Sequence, residues 1–208
     1  DGCDCETPGP GPIRQPANAW SSLALSLAGC LLLTTLPKAA GDEEGRATAA
    51  GTRPALPPRA GEAACQLIPA LTLLLAGTAA FLFHAGLTAW AARLDGIAVG
   101  ILIGALAAHR WWPRRAGGSP SAPRRLPAVV PWLLLALGAA AWFLGRSGGP
   151  WCRPDAPFQA HAAWHLLAAA AIFLWLWRRR PAGGRASPIP PGPLPSRPED
   201  ATADEPAP

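Results

Sequence analysis

Residues 66–86 read QLIPALTLLLAGTAAFLFHAG, a stretch without a single Asp, Glu, Lys or Arg. A run of roughly 20 apolar residues is what a helix needs to cross the core of a bilayer. Four more apolar runs lie at about 17–36, 96–112, 126–145 and 158–177. A lipid-exposed backbone must satisfy its own hydrogen bonds, so these runs predict helices. The expected fold is an all-α integral membrane protein with a bundle of about five transmembrane helices.

The composition agrees with a membrane protein. Of the 208 residues, 50% are hydrophobic and only 15% are charged, whereas about 25% charged residues is usual in soluble domains. We expect a membrane and a lipid as partners, and no nucleic acid. The sequence contains no Met and begins with a polar, Pro-rich stretch without a signal-peptide core, so we expect a processed or truncated chain.

The polar segments divide the chain into three parts. Residues 1–16 form an acidic, Cys-bearing head, 17–178 the transmembrane domain, and 179–208 a tail whose Pro, Gly and Ser content predicts disorder. One side of the membrane would carry only four of the 18 Lys and Arg residues: Arg14, Arg93, Arg146 and Arg153. Positive charge favours the cytoplasmic side. This predicts an extracytoplasmic head and a cytoplasmic tail.

Polar side chains gather at the extracytoplasmic face of this topology. His84 ends the second run, and His161 and His165 open the fifth. A short break around Arg93 and Asp95 is expected to precede the third run, so that Asp95 opens it. His109 lies at the opposite face.

The spacing of these histidines suggests a metal site. Residues four apart share one helical face, and such a pair with a third His commonly holds zinc with an open fourth position. Asp95 could then orient a water or carry its proton. The alternative is that each His is an interfacial residue with its polar edge among the headgroups. Haem is a weaker alternative, because two His on one helix cannot reach opposite faces of the same haem.

Several motifs resemble one known family. They are FH at 83–84 with Asp95 eleven residues on, QAHAAWH at 159–165, CDCE at 3–6 and RQPANAWS at 14–21. Together they are similar to the alkaline ceramidases and the wider superfamily of seven-helix membrane hydrolases, including its bacterial members. The resemblance covers roughly residues 1–30, 77–95 and 152–178.

The resemblance implies seven helices, two more than the apolar runs show. It also implies a zinc site at His84, His161 and His165, and a catalytic Asp at Asp95. The family's Ser, four residues before the first His, is replaced here by Ala80. Thr88 is the nearest hydroxyl in the sequence, one turn after His84 on the same helical face, and is our candidate to substitute for that Ser.

Calcium is a second cofactor that the resemblance implies. Some members bind it through their acidic N-terminal segment, where oxygen ligands suit a hard cation. The matching residues are Asp1, Asp4, Glu6 and Gln15. Gln15 stands where many members have Glu, and a solvated acidic terminus is the alternative.

A disulfide is expected between the head and the loop at 146–157, on the side of the membrane where disulfides persist. Cys152 is the only Cys of that loop, and either Cys3 or Cys5 could reach it. The family register favours Cys3, with Cys5 as the alternative. Closing a loop of this size gives on the order of 4–5 kcal/mol in the chain-entropy model.

With the histidine pattern, the resemblance therefore implies a zinc-dependent hydrolase that cuts the amide bond of a ceramide-like lipid, in a bacterial inner membrane. A metal-binding membrane receptor or structural protein without activity is the first alternative. A hydrolase of another lipid amide or ester is the second.

Overall fold

Apolar helices make up almost all of the described structure. A computed structural model describes residues 4–36, 60–111 and 127–179. In these ranges the chain forms five helices and no strand: α1 (Pro16–Thr34), α2 (Ala60–Gly86), α3 (Ala89–Trp111), α4 (Val130–Gly145) and α5 (Ala160–Arg178). The predicted all-α class is confirmed. The predicted tail beyond Arg179, and most of the two longer loops, lie outside the described residues.

Four of these helices are long and apolar enough to span a membrane. They are α1, residues Ala64–Gly86 of α2, α3 and α5. The fourth predicted run forms α4, which is apolar but has only 16 residues, about 24 Å at the rise of a helix. The five predicted runs are thus four long helices and one short apolar helix.

The predicted break near Arg93 and Asp95 is wrong. The chain bends earlier, at Leu87, which directly follows the last residue of α2. Its φ of 50° lies in the left-handed region. α3 therefore begins at Ala89, and Asp95 lies inside it. The exposed Arg93 is tolerated within the helix, because a long basic side chain can carry its charge toward the membrane surface.

α1 lies at the centre of the helix packing. It contacts α2 on one side and α5 on the other, while α3 packs on α2 and α4 packs on α5. The contacts thus follow the order α3, α2, α1, α5, α4. Small residues permit the close approach of α1 and α2, as is common between membrane helices. A methyl group on Gly29 would lie 2.7 Å from the backbone oxygen of Ala70, and one on Gly77 would lie 2.9 Å from that of Ser22.

Exposed tryptophans mark both ends of the bundle. Trp20, Trp90 and Trp151 lie at the end that carries the N-terminus of α1, and each is more than half exposed. Trp111, Trp132 and Trp177 are exposed at the other end. Such aromatic belts are typical of the two membrane–water interfaces.

The close approach of α1 and α2 can be tested with one methyl group. We expect Gly77→Ala to destabilise the protein by about 1–3 kcal/mol, the usual cost of overpacking, because its Cβ would collide with the backbone of α1. Gly100→Ala is the matched control in α3, since nothing lies within 4 Å of its Cβ position. Thermal unfolding in detergent would compare the two variants, and equal melting temperatures would contradict the packing described.

Candidate metal centre

The head segment joins the ends of two helices. The backbone N–H groups of Arg14 and Gln15 donate to the carbonyls of Ala85 and His84, both at 3.0 Å. They thereby satisfy two of the free carbonyls at the end of α2. The Glu6 carboxylate accepts hydrogen bonds from the N–H groups of Ala17 and Asn18, at 2.8 and 2.9 Å. A carboxylate is also favourable there because the start of a helix carries partial positive charge.

Three histidines converge beneath this segment. His84 lies in the last turn of α2, and His161 and His165 lie in the first two turns of α5. Their ring centroids are 4.7–5.3 Å apart. One ring nitrogen from each lies within 4.8 Å of the other two. His84 and His165 are almost fully buried, at 1% and 4% exposure, and the side chain of His161 is 12% exposed.

Each imidazole meets an oxygen at its Nδ1 atom. His84 Nδ1 lies 2.8 Å from Gln15 Oε1. The side-chain amide of Gln15 is oriented by its Nε2, which donates a hydrogen bond to the Glu6 carbonyl, so Oε1 is the atom that faces His84. His84 therefore donates from Nδ1. His165 Nδ1 lies 3.0 Å from Ser21 Oγ, whose hydrogen goes to the Asn18 carbonyl, so His165 also donates from Nδ1. Both rings keep the lone pair of Nε2, which is the form of His that binds metals.

The third histidine faces a carboxylate. His161 Nδ1 lies 2.9 Å from Asp4 Oδ1, and His84 Nδ1 lies 3.6 Å from Asp4 Oδ2. The shorter contact is electrostatic, since its angles fall outside the range of a hydrogen bond. Burial alone would raise the pKa of the Asp4 carboxyl, but the neighbouring histidines, His161 above all, outweigh burial and lower it below its ordinary value. Asp4 is therefore held as a carboxylate.

Asp95 lies on the buried face of α3, in register with Ala91, Ala98 and Leu102. It is within electrostatic range of His161 and Asp4. Its Oδ1 atom is buried and has no hydrogen-bond partner among the described residues. A buried polar atom of this kind calls for a ligand, an ion or a water. Asp95 thus lies on a face of α3 within electrostatic range of His161, and its role beside a metal stays a prediction.

Thr88 and Ala80 differ in their placement. Thr88 lies after the end of α2, in the turn before α3, and is exposed. The prediction that it follows His84 on one helical face is wrong, because the helix ends at Gly86. Ala80 is buried at 4% exposure, four residues before His84 in α2. No hydroxyl stands at that position.

The disulfide joins Cys5 to Cys152, with their Cα atoms 5.3 Å apart. The prediction of Cys3 is wrong, and the alternative is the observed partner. The reason lies in the packing of the head. Asp4 pairs with the backbone of Arg146, and its carbonyl accepts a hydrogen bond from Ser147 Oγ at 3.0 Å. This pairing places the next residue, Cys5, beside Cys152. Cys3 itself lies outside the described residues.

The residues predicted to bind calcium have other contacts. The Asp4 carboxylate faces two histidines, the Glu6 carboxylate caps α1, and Gln15 connects His84 to Glu6. Asp1 lies outside the described residues. The three histidines are the one group of three or more His, Cys, Asp or Glu in the described ranges whose ligand atoms come together. Calcium binding stays a prediction without a formed site.

Sequence reasoning missed the polar partners of the histidines. Ser21 and Asp4 contact ring nitrogens, and Asn18 is fully buried with neither side-chain atom hydrogen-bonded within the described chain. The sequence contains one indication of the role of Ser21. Ser21 stands two turns into α1, where a polar residue in an apolar helix needs a partner.

The donor set fits zinc. Three imidazoles are a common zinc ligand set that leaves a fourth position open. The oxygens at Nδ1 of His84 and His165 fix the tautomer and orient those two rings, as partners of metal-bound histidines usually do. The fourth histidine, His109, lies at the opposite end of α3, where its Nδ1 is 2.9 Å from the Cys65 carbonyl.

No family model, curated protein or solved structure matches this chain.

Metal content tests the ligand set directly. We expect His84→Ala, His161→Ala and His165→Ala each to abolish stoichiometric zinc after dialysis, because two imidazoles alone hold the ion weakly. His109→Ala should retain one zinc per chain. Elemental analysis of the four variants gives the answer, and full zinc in any of the first three would remove that residue from the site.

Two neighbouring serines form a matched pair. Ser21 Oγ accepts from His165, whereas Ser22 Oγ donates only to the Ala19 carbonyl of its own helix. We expect Ser21→Ala to weaken zinc binding by roughly 10–100-fold, the usual effect of losing a partner of a metal ligand. Ser22→Ala should leave the affinity near that of the wild type. Competition with a zinc chelator would measure both, and equal affinities would exclude the role given to Ser21.

Proposed function

We propose that this protein is a zinc-dependent membrane hydrolase that cleaves the amide bond of a ceramide-like lipid. The observation that carries the proposal is the cluster of three histidines, two of which donate from Nδ1 and so present Nε2 to a metal. The motifs shared with the alkaline ceramidases supply the substrate class. When bound, zinc supplies a Lewis acid and lowers the pKa of a water toward neutrality.

The chain's own residues would do the rest of the chemistry. Gln15 and Ser21 contact Nδ1 of His84 and His165 and would orient these two rings toward the metal. Asp95, whose Oδ1 has no hydrogen-bond partner among the described residues, takes a proton from the water that attacks the carbonyl carbon. It returns that proton to the amine nitrogen as the carbon–nitrogen bond breaks. The products are a fatty acid and an amine.

The location of the cluster suits a lipid substrate. It lies at one end of four helices long enough to span a membrane. An acyl chain can therefore stay among apolar surfaces while its polar linkage reaches the histidines. Asn18 offers a buried amide that lacks a partner in the described chain, which is a suitable group to bind a hydroxyl or carbonyl of the substrate.

We propose the orientation in which the head and the cluster face away from the cytoplasm. The distribution of Lys and Arg supports it. The Cys5–Cys152 disulfide supports it independently, because disulfides persist on the oxidising side of a membrane. A bacterial inner membrane with the site facing the periplasm fits both observations.

A second candidate function is a metal-binding receptor or structural protein without activity. Ala80 favours it, because the resembling family carries a Ser at that position. The two functions differ in turnover and not in metal binding. Release of fatty acid from ceramides of several chain lengths, measured on the zinc-loaded protein in micelles, therefore separates them. Bound zinc without release from ceramides or other lipid amides and esters would favour the second.

Asp95 gives the sharpest test of the hydrolase. We expect Asp95→Asn to lower kcat by about 10²–10⁴-fold, the usual contribution of a general acid–base group, while zinc content stays at one per chain. The amide keeps the shape of the side chain but cannot accept the proton. Parallel loss of zinc and activity would instead make Asp95 a ligand or a folding residue.

A further inference from the structure

We propose that Asp4 is a positioning residue of the metal centre, and that the Cys5–Cys152 disulfide holds it in place. The inference rests on the metal site of the proposed function and adds to Gln15 and Ser21 a third polar partner of the histidines. The head would then belong to the catalytic centre instead of forming a separate calcium site.

The geometry of the carboxylate is the first argument. One oxygen of Asp4 contacts His161 of α5 at 2.9 Å, and the other lies 3.6 Å from His84 of α2. The side chain thus lies between two of the three rings. Asp4 is only 9% exposed, and a buried carboxylate is costly unless charged or polar groups face it. The two imidazoles are the groups that face it.

The three histidines then have complementary supports. Gln15 supports His84 and Ser21 supports His165, each through a neutral oxygen. Among the described residues, Asp4 is the partner that brings a negative charge, and it contacts His161 at 2.9 Å. A carboxylate behind a metal-bound imidazole raises the basicity of the ligand as well as orienting it. Loss of Asp4 should therefore affect metal affinity and the geometry of the ligand field, and not folding alone.

The attachment of Asp4 is the second argument. Its neighbour Cys5 is bonded to Cys152, and its backbone pairs with Arg146 and Ser147. Two residues further on, the N–H of Thr7 donates to the Pro154 carbonyl at 3.1 Å. Residues 4–7 are therefore attached to the loop that follows α4 by hydrogen bonds and by one covalent bond, the Cys5–Cys152 disulfide. Without that bond, Asp4 would be held near the rings only by its pairing with Arg146 and Ser147 and by the hydrogen bonds of its neighbour Glu6.

A double-mutant cycle tests both parts on the full-length protein in micelles. The variants are Asp4→Asn, the pair Cys5→Ser with Cys152→Ser, and all three changes together. Asp155→Asn is the control for charge, because this exposed acid lies in the same loop region. Cys30→Ser is the control for loss of a thiol, since Cys30 is a free, exposed cysteine. Zinc affinity is measured by chelator competition, and ligand geometry by the visible spectrum of the cobalt-substituted protein.

We expect Asp4→Asn to weaken zinc by roughly 10–100-fold and to change the cobalt spectrum. Asp4→Glu should recover part of the affinity. Removing the disulfide should have a similar effect, and the triple variant should be no worse than the weaker-binding parent, because both changes act through one carboxylate. The two controls should bind zinc as the wild type does.

Wild-type affinity and spectrum in Asp4→Asn would overturn the role of Asp4. Effects that multiply in the triple variant would overturn the link to the disulfide. If Asp4→Asn does not fold, the disulfide-free protein with Asp4 intact decides, and wild-type zinc affinity there would refute the proposal. If the wild-type protein binds no zinc, the metal site itself is refuted. If it binds zinc tightly and the affinity does not depend on Asp4, only the role of Asp4 is refuted.

Discussion

The contacts of Gln15 connect the head, the start of α1 and the end of α2 beside the histidine cluster. This buried side chain accepts from His84 Nδ1 and donates to the Glu6 carbonyl, while its backbone N–H donates to the carbonyl of His84. The end of α2, the start of α1 and the head therefore meet at one residue. Gln15 is only 2% exposed, and buried polar groups are usually hydrogen-bonded. Both the oxygen and the nitrogen of its side-chain amide have a partner, and the contact of the oxygen orients His84.

The packing of the helices extends this arrangement to α5. α1 lies between α2 and α5, and small residues at its contact with α2 bring the two backbones close together. α1 then presents Ser21 to His165 on its other side. Two histidines that lie 81 residues apart in the sequence, His84 and His165, thus reach the same point through a helix that contributes no ligand of its own.

Part of this structure could be read from the sequence, and the reasons are physical. Apolar runs as long as a bilayer is thick predicted the helices, and the alternation of their ends placed His84, His161 and His165 at one face. The start of α3 was not predictable in this way, because Leu87 adopts a left-handed conformation that few non-glycine residues take. The choice between Cys3 and Cys5 depends on the pairing of Asp4 with Arg146. The contact of Asp4 with His161 likewise depends on how the head folds back, which hydrophobic periodicity does not encode.

The two belts of exposed tryptophan fix the depth of the cluster in a bilayer. Trp20 lies in the first two turns of α1, Trp90 opens α3, and both are about 60% exposed. Indole rings settle at the level of the lipid headgroups. His84 and His161 lie at the same end of the bundle as these tryptophans, so a bilayer seated on the two belts would have the cluster near its headgroups. In the proposed function, a lipid substrate would then meet the cluster by lateral diffusion within its leaflet, without being lifted into water.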